Sequence, residues 1–182
     1  MLSGISIVAT LALATAALAN PIAGGTCNPT ITGSGISITS GGLELGYLTS
    51  ASGAPIISQA VTTGSPEFLA EESTIFNGGF ILKDSAQPSQ APQLLLTDIE
   101  GSQIPRLEDR ATPDAQGWEF ICSTCDDPNT VGNGGVIASN CSIVSGGSGK
   151  CLQIGSIVGA AATIVTCANL GSGSQYFDIY LA

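Results

Sequence analysis

The stretch SQYFDIYLA, Ser174–Ala182, places a glutamine two residues before a phenylalanine at the start of an alternating apolar run. The same spacing occurs in DAQGWEFIC, Asp114–Cys122, where Gln116 precedes the single tryptophan, Trp118. Alternation of apolar and polar residues predicts a β-strand with one buried face. Two such stretches with the same lead-in indicate a repeated structural unit.

Aligning Phe68, Trp118 and Phe177 reveals a period of about 50 residues, within the range of repeat architectures. A leucine-rich triplet begins 25, 24 and 25 residues before these aromatics, and further apolar runs flank each triplet. Clusters of Gly, Ser, Pro and Asn separate the runs, which predicts four short strands per unit. Three such units can close a six-stranded barrel capped by three hairpins, with no open sheet edge. The sequence therefore predicts an all-β chain, a β-trefoil of twelve strands with pseudo-threefold symmetry and the three aromatics in its core. A β-sandwich with evenly spaced strands is the alternative.

The first residues form an uncharged apolar run that ends in a small-x-small pattern. Such a run predicts a secretory signal peptide over residues 1–19, and a membrane anchor is the alternative. Residues 20–182 then form a single trefoil domain with repeats at about 30–74, 75–125 and 135–182. We expect the mature protein to be secreted, extracellular, monomeric and free of the membrane.

The composition excludes several classes of protein. The net charge of −10 makes binding to nucleic acid or to anionic lipid unfavourable. The chain has no histidine, which excludes Ser-His-Asp and Cys-His nucleophile systems and His-ligated zinc. Adjacent carboxylates such as Glu71-Glu72 point to opposite faces of a strand, and the run Asp126–Gly135 reads as a linker rather than a calcium loop. We expect no enzymatic activity, no metal and no cofactor.

The six cysteines are an even number, which in an exported chain predicts disulfides. In a trefoil, the start of the first strand and the end of the eighth both lie at the open end of the barrel. This favours Cys27 with either Cys122 or Cys125, and leaves the other for Cys141. The sequence Asn140-Cys141-Ser142 is an N-glycosylation sequon, so we expect a glycoprotein.

The stretch Ser145–Leu181 resembles one repeat of the ricin B-type lectin family, whose repeats end in Gln-x-Trp. The shared marks are a Ser/Gly turn, Lys150, Cys151-Leu152 opening a strand, an apolar strand into Cys167, and Gln-x-aromatic. The second repeat resembles the family around Gln116, and the first departs from it because Pro66 replaces the glutamine. The resemblance implies a trefoil with a Cys151–Cys167 disulfide, a core aromatic in each repeat, and glutamines that hold a neighbouring loop.

The resemblance also implies sugar binding through an acid after the Cys-Leu position, an aromatic platform and an Asn or Gln. We place Glu44, Leu95 and Gln153 in the acid position, so no repeat has the complete set. The predicted function is a secreted carbohydrate-binding module with degenerate sites, whose partners are glycans or cell-wall polysaccharide. A structural or interaction protein without sugar binding and a β-trefoil protease inhibitor are the alternatives, with a small carboxylate hydrolase behind them. The best sugar-site candidates lie in the third repeat: Gln153, Asn169, Gln175 and Tyr176.

Overall fold

The computed structural model describes residues 26–61, 67–74, 76, 78–87, 91–109, 111–168 and 173–182. Within these residues the chain forms strands and two short 3-10 helices, Pro113–Gln116 and Gly173–Gln175. The strands are β1 Ser34–Ser40, β2 Leu43–Gly46, β3 Ile57–Ala60, β4 Phe68–Glu72, β5 Phe80–Asp84, β6 Leu95–Thr97, β7 Arg106–Glu108, β8 Trp118–Ile121, β9 Thr124–Cys125, β10 Val136–Ser145, β11 Cys151–Gln153, β12 Thr163–Val165 and β13 Phe177–Leu181.

Six of the strands close into a barrel. β1 pairs with β4, β4 with β5, β5 with β8, β8 with β10, β10 with β13, and β13 returns to β1, each pair antiparallel. Six of the other strands form three hairpins, one in each repeat: β2–β3, β6–β7 and β11–β12. Closure leaves the barrel without free edges, which would otherwise invite pairing with other chains. The fold is the predicted β-trefoil.

The pairing of the barrel strands repeats three times around the barrel. Each predicted core aromatic begins the last strand of its repeat and lies opposite a buried residue of a neighbouring barrel strand: Phe68 opposite Ile36, Trp118 opposite Phe80, and Phe177 opposite Cys141. Phe68 and Trp118 are fully buried and Phe177 is 1% exposed. Two residues further on, Ala70, Phe120 and Ile179 are buried as well, because alternate strand residues face the same side.

The three hairpins meet at one end of the barrel through main-chain hydrogen bonds. The amide of Ile56 donates to the carbonyl of Pro105 at 3.0 Å, and the amide of Ala162 donates to the carbonyl of Ile56 at 2.9 Å. The amide of Ile164 donates to the carbonyl of Gln103 at 2.7 Å. These bonds satisfy backbone groups that the short hairpins would otherwise leave unpaired in a buried position.

The described residues contain one strand more than the twelve predicted. β9 follows β8 after a two-residue break and pairs with β10 at Ala138 and Ser139. β10 is ten residues long and extends past its pairing with β8, so it offers hydrogen-bonding groups to the segment that follows β8. The prediction missed this pairing because a two-residue strand has no period of its own.

Three disulfides staple the fold, one within the third repeat and two between different segments of the chain. Cys151 is bonded to Cys167, the pairing that the resemblance implies, and this bridge holds the β11–β12 hairpin. Cys27 is bonded to Cys125, and Cys122 to Cys141. The second and third bridges resolve the choice that the sequence left open between Cys122 and Cys125.

The predicted signal peptide, residues 1–19, lies outside the described residues. Among the residues that are described, no helix has the length and apolarity needed to cross a membrane.

Candidate functional site

Gln175 holds the loop that follows β12. Its side-chain oxygen accepts a hydrogen bond from the amide of Ala168 at 2.8 Å, and its side-chain nitrogen lies 3.4 Å from both the Thr166 carbonyl and the Gln153 side-chain oxygen. Gln175 is only 8% exposed. Both ends of this amide are therefore engaged within the protein, which is the loop-holding role that the resemblance implies.

Gln116 has the same role in the second repeat. It ends a 3-10 turn directly before Gly117 and Trp118, and its side-chain nitrogen donates to the Thr97 hydroxyl at 3.2 Å. Thr97 closes β6 as Gln153 closes β11. In both repeats the glutamine before the core aromatic thus contacts the last residue of the second strand. The first repeat cannot form this contact, because Gly46 closes β2 and Pro66, which lies outside the described residues, replaces the glutamine.

These contacts correct the predicted acid positions. The equivalent positions of the three repeats can be counted from the residues paired with the core aromatics, which are Ile36, Phe80 and Cys141. Three residues further along each strand lie Thr39, Lys83 and Val144, which are therefore equivalent. Their cross-strand neighbours are Glu44, Leu95 and Cys151. Gln153 is therefore equivalent to Gly46 and Thr97, and the assignment of Glu44 and Leu95 to its position was wrong by two residues. The equivalent positions hold Gly46, Thr97 and Gln153, so none of the three carries an acid.

Tyr176 is 9% exposed. It lines a separate groove of about 180 Å³ beside Cys151, Cys167, Ser123 and Asn140. The structure therefore brings Gln153 and Gln175 into contact, and Tyr176 lines the neighbouring groove together with Ala168. Asn169 lies outside the described residues, and β12 contains no aromatic residue.

Asn140, the predicted glycosylation site, is exposed within β10 and has a positive φ of 53°. Its side-chain amide donates to the Ser123 hydroxyl at 2.9 Å. The neighbouring Cys141 is fully buried and bonded to Cys122. The sequon is thus built into a barrel strand rather than a loop, and its modification remains a prediction.

A polar cleft lies between the second and third repeats. This inter-repeat cleft has a volume of about 340 Å³ and includes two carboxylates and a lysine. Sequence reasoning missed Asp98, although an acid directly after the last residue of a predicted strand is a signal for a site at that strand's end. Its lining residues are Asp98, Ile99, Glu100, Gly101, Ser102, Thr112, Ala115, Gly147, Ser148, Lys150 and Ile164.

Close backbone packing positions the walls of the inter-repeat cleft. The amide of Gly146 donates to the carbonyl of Gly117 at 2.8 Å, and a side chain at Gly147 would come within 3.1 Å of the Ala115 Cα atom. Asp98 is held from both sides: its amide donates to the Ala115 carbonyl at 2.8 Å, and its carboxylate accepts from the Ser145 hydroxyl at 2.7 Å. The glycine-rich turn of the third repeat therefore packs on the second repeat and fixes the Asp98 carboxylate.

The acidic residues of the first repeat form a structural cluster around Asp84. The hydroxyls of Tyr47 and Ser50 both donate to the Asp84 carboxylate, which is 1% exposed. Burial, followed by the hydrogen bond to Asp84, raises the pKa of Tyr47. Burial, and then the charges of Glu44 and Asp84, raises the pKa of Glu67 to about 7. This cluster orders the β4–β5 region rather than opening a cleft.

The run Asp126–Gly135 forms turns, as its reading as a linker predicts. The carboxylate of Asp127 accepts from the amide and the side chain of Asn129, at 2.9 and 2.8 Å. Across the described residues, no group of three or more His, Cys, Asp or Glu side chains is arranged to hold a metal ion. The Asp127 oxygen contacts are those of an ordinary Asx turn.

Comparisons with known proteins support the fold. No protein-family model matches the chain, and no curated protein matches it. Among solved structures, a mosquitocidal holotoxin aligns at a TM-score of 0.60 with 13% identity over 89% of this chain, and this chain spans 18% of that toxin. A designed 3-fold symmetric protein, ThreeFoil, aligns at 0.59 with 15% identity, over 81% of this chain and 98% of its own. A cytolethal distending toxin chain from Actinobacillus actinomycetemcomitans aligns at 0.52 with 14% identity, over 81% and 90%. At these identities the similarity establishes the trefoil fold.

Proposed function

We propose that the protein is a secreted, non-enzymatic carbohydrate-binding module of the ricin B-type, with degenerate sugar sites. The observation that supports this most is the shared contact of Gln116 with Thr97 and of Gln175 with Gln153. It reproduces in two repeats the glutamine that the lectin resemblance implies, while the adjoining acid position is neutral in both. The module keeps the family's framework and has lost its charged sugar acceptor.

The inter-repeat cleft is where we place the binding. Its volume lies at the small end of ligand pockets, which run from roughly 300 to 1,000 Å³, and suits one or two sugar rings. Sugar hydroxyls both donate and accept hydrogen bonds, and the cleft offers the Asp98 and Glu100 carboxylates as acceptors and the Lys150 ammonium as a donor. Hydrogen bonds to charged groups are roughly twice as strong as neutral ones, so these three side chains favour this cleft over the Gln153 region.

Exposure limits the affinity. Glu100 is exposed, and no aromatic residue lines the cleft to stack on a pyranose ring. We expect a dissociation constant near 1 mM, about 4 kcal/mol of binding free energy. Useful binding then requires several copies of the module on one surface, where effective concentration multiplies a weak contact.

The same groups support a non-enzymatic role. Catalytic carboxylate pairs of glycosidases flank the scissile bond, with one acid free to transfer a proton. Asp98 is 7% exposed and engaged with Ser145, and Glu100, the other carboxylate of the cleft, is exposed to solvent. Secretion is supported by the three disulfides, which form and persist in oxidising compartments.

Titration of the isotope-labelled protein with neutral methyl glycosides tests this proposal. We expect saturable amide shifts at Asp98–Ser102 and Gly147–Lys150, weakened severalfold in Glu100→Gln and Asp98→Asn. Glu119→Gln, a half-buried carboxylate on the outer wall of β8, is the matched control and should bind like the parent. Shifts confined to Gln153 and its neighbours would move the site to the third repeat. No shifts at tens of millimolar sugar on folded protein would favour the structural or interaction role.

A further inference from the structure

A second pocket lies on the outer wall of the barrel. It has a volume of about 290 Å³ and lies over the β1–β13 pair. Ser37 lies opposite Tyr180 and Thr39 lies opposite Asp178 in that pair. We call it the wall pocket; it is lined by Ser37, Thr39, Ser40, Gly41, Gly42, Val61, Gly134, Asp178, Tyr180, Leu181 and Ala182.

Strand alternation places these side chains on the outer face of the barrel. Phe177 and Ile179 of β13 point into the barrel core and are buried, so Asp178 and Tyr180 point outward. On β1 Ile36 and Ile38 point into the core, so Ser37 and Thr39 lie on the opposite, outer face of the strand. They are only 7% and 9% exposed, and the Thr39 hydroxyl donates to the Asp178 carbonyl at 3.5 Å. An aromatic ring, a carboxylate and two hydroxyls are therefore placed side by side by a rigid antiparallel pair.

A β-bulge in β10 fixes the carboxylate. The register between β10 and β13 shifts twice, between Val136 and Ala138 and between Ala138 and Cys141. The second shift contains Asn140, whose amide donates to one oxygen of Asp178 at 3.1 Å. Bulges commonly redirect a side chain beside a functional site. Here the bulge amide holds Asp178 through one oxygen.

The rim of the wall pocket has little bulk. Gly41 and Gly42 form the β1–β2 turn with φ of 59° and 79°, a conformation that favours glycine. A Cβ atom at Gly41, Gly42 or Gly134 would meet nothing within 4 Å. At these three positions the rim of the wall pocket is therefore free of side-chain bulk.

The combination of residues occurs on this wall alone among the three repeats. The residues equivalent to Asp178 and Tyr180 are Glu119 and Ile121 in β8, and Leu69 and Glu71 in β4. Neither of those strands places an aromatic ring beside a carboxylate. The wall pocket is thus a local feature of the third repeat and not a copy of a repeated sugar position.

We propose that the wall pocket is a carbohydrate subsite that binds a neutral pyranose, with Tyr180 stacking on the apolar face of the ring and Asp178 accepting from its hydroxyls. This inference rests on the proposed carbohydrate-binding function and adds a second contact for the same oligosaccharide class. The lining contains no lysine or arginine, and the protein carries a net charge of −10, so a uronic acid or sulfated sugar would be repelled. The aromatic contact supplies the apolar burial that the inter-repeat cleft lacks.

The test is a residue-resolved titration of the disulfide-intact, isotope-labelled protein with methyl glycosides of glucose, galactose and mannose, and with methyl glucuronide as the anionic counterpart. We expect saturable shifts at Ser37–Gly42 and Asp178–Leu181 with at least one neutral glycoside, and no saturation with the glucuronide. Tyr180→Ala should weaken binding at this pocket about tenfold, equivalent to about 1.4 kcal/mol. Tyr180→Phe keeps the ring and should bind nearly like the parent.

Two controls make the outcome specific. Ile121→Ala truncates the equivalent outward residue of β8 and should leave binding at the wall pocket unchanged. Asp178→Asn keeps an oxygen for the Asn140 amide, so it should fold normally and bind several times more weakly. Shifts at the inter-repeat cleft with a silent wall pocket would overturn this inference and leave the proposed function standing. Silence at both sites would overturn both, and equal binding of the glucuronide would overturn the choice of a neutral ligand.

Discussion

The indole nitrogen of Trp118 donates a hydrogen bond to the carbonyl of Leu96 at 3.0 Å, from the last strand of the second repeat to its second strand. The contact joins the barrel to its hairpin, and both residues are fully buried. Trp118 therefore has two roles, filling the core and satisfying a backbone acceptor at the point where barrel and cap meet.

Trp118→Ala should lower the free energy of unfolding by about 3–5 kcal/mol, as other large aromatic truncations in cores do. Trp118→Phe keeps most of the packing and leaves the Leu96 carbonyl without its donor, so it should cost about 1–3 kcal/mol. Guanidinium unfolding of both variants measures the two losses. Equal losses would show that packing contributes little here, contrary to the full burial of the ring.

The disulfides differ in the length of chain that they close. Cys27–Cys125 spans 98 residues and Cys151–Cys167 spans 16. In the chain-entropy model these loops contribute about 4.7 and about 3 kcal/mol. The double variant Cys27→Ser with Cys125→Ser should therefore be less stable than Cys151→Ser with Cys167→Ser. Thermal unfolding under non-reducing conditions ranks them, and the reverse order would indicate that local packing around Cys151 outweighs loop closure.

Sequence reasoning found the barrel strands β4, β5, β8 and β13 because each begins at a buried aromatic residue followed by clear alternation. It aligned Glu44 and Leu95 with Gln153 because two leucines flank each of them, as Leu152 and Ile154 flank Gln153. The three triplets therefore look equivalent by apolarity alone. A displacement of two residues along a strand changes which residue is aligned with Gln153. The correct alignment follows only from the strand pairing, in which Thr39 lies opposite Glu44 and Val144 lies opposite Cys151.

The candidate sites were harder to predict than the fold. The sequence around Gln175 is the same whether its side chain binds a sugar or holds a loop. Its contact with Ala168 depends on a turn, and hydrophobic periodicity does not predict the conformation of turns. The wall pocket arises from the pairing of Ser37 with Tyr180, residues at opposite ends of the described chain. A single sequence contains no signal for such a pairing until the barrel closure is known.

The loop-holding role of Gln175 has its own consequence. Gln175→Ala removes the acceptor of the Ala168 amide and should cost about 1–2 kcal/mol of stability, within the range for a buried hydrogen bond. Gln153→Ala removes only the longer 3.4 Å contact and should cost less. Urea unfolding compares the two. A larger loss of sugar affinity than of stability in Gln175→Ala would instead support its predicted place in a third-repeat binding site.

Glu67 gives the stability a specific pH dependence. Burial and the charges of Glu44 and Asp84 raise its pKa to about 7, so the folded protein keeps this proton where the unfolded chain, with a pKa near 4.5, has lost it. Its contribution is therefore fully present below about pH 4.5 and is lost as the pH rises through 7. Glu67→Gln should match the parent near pH 4.5 and exceed it in stability above pH 7.

Guanidinium unfolding at several pH values between 4.5 and 8 measures this difference. Glu119→Gln changes the net charge equally on the wall of β8 and serves as the control for general repulsion. A stability difference between Glu67→Gln and the parent that does not vary with pH would contradict the raised pKa of Glu67.

The most direct measurement of the carbohydrate-binding function is a glycan array read with the disulfide-intact protein, once as a monomer and once as a tetramer on streptavidin. Because each module is expected to bind near 1 mM, the tetramer should bind a defined set of neutral glycans and the monomer should show no signal. Tyr180→Ala and Glu100→Gln, combined in one tetramer, should lose that signal. A correctly folded parent tetramer that binds no glycan on the array would contradict the carbohydrate-binding function.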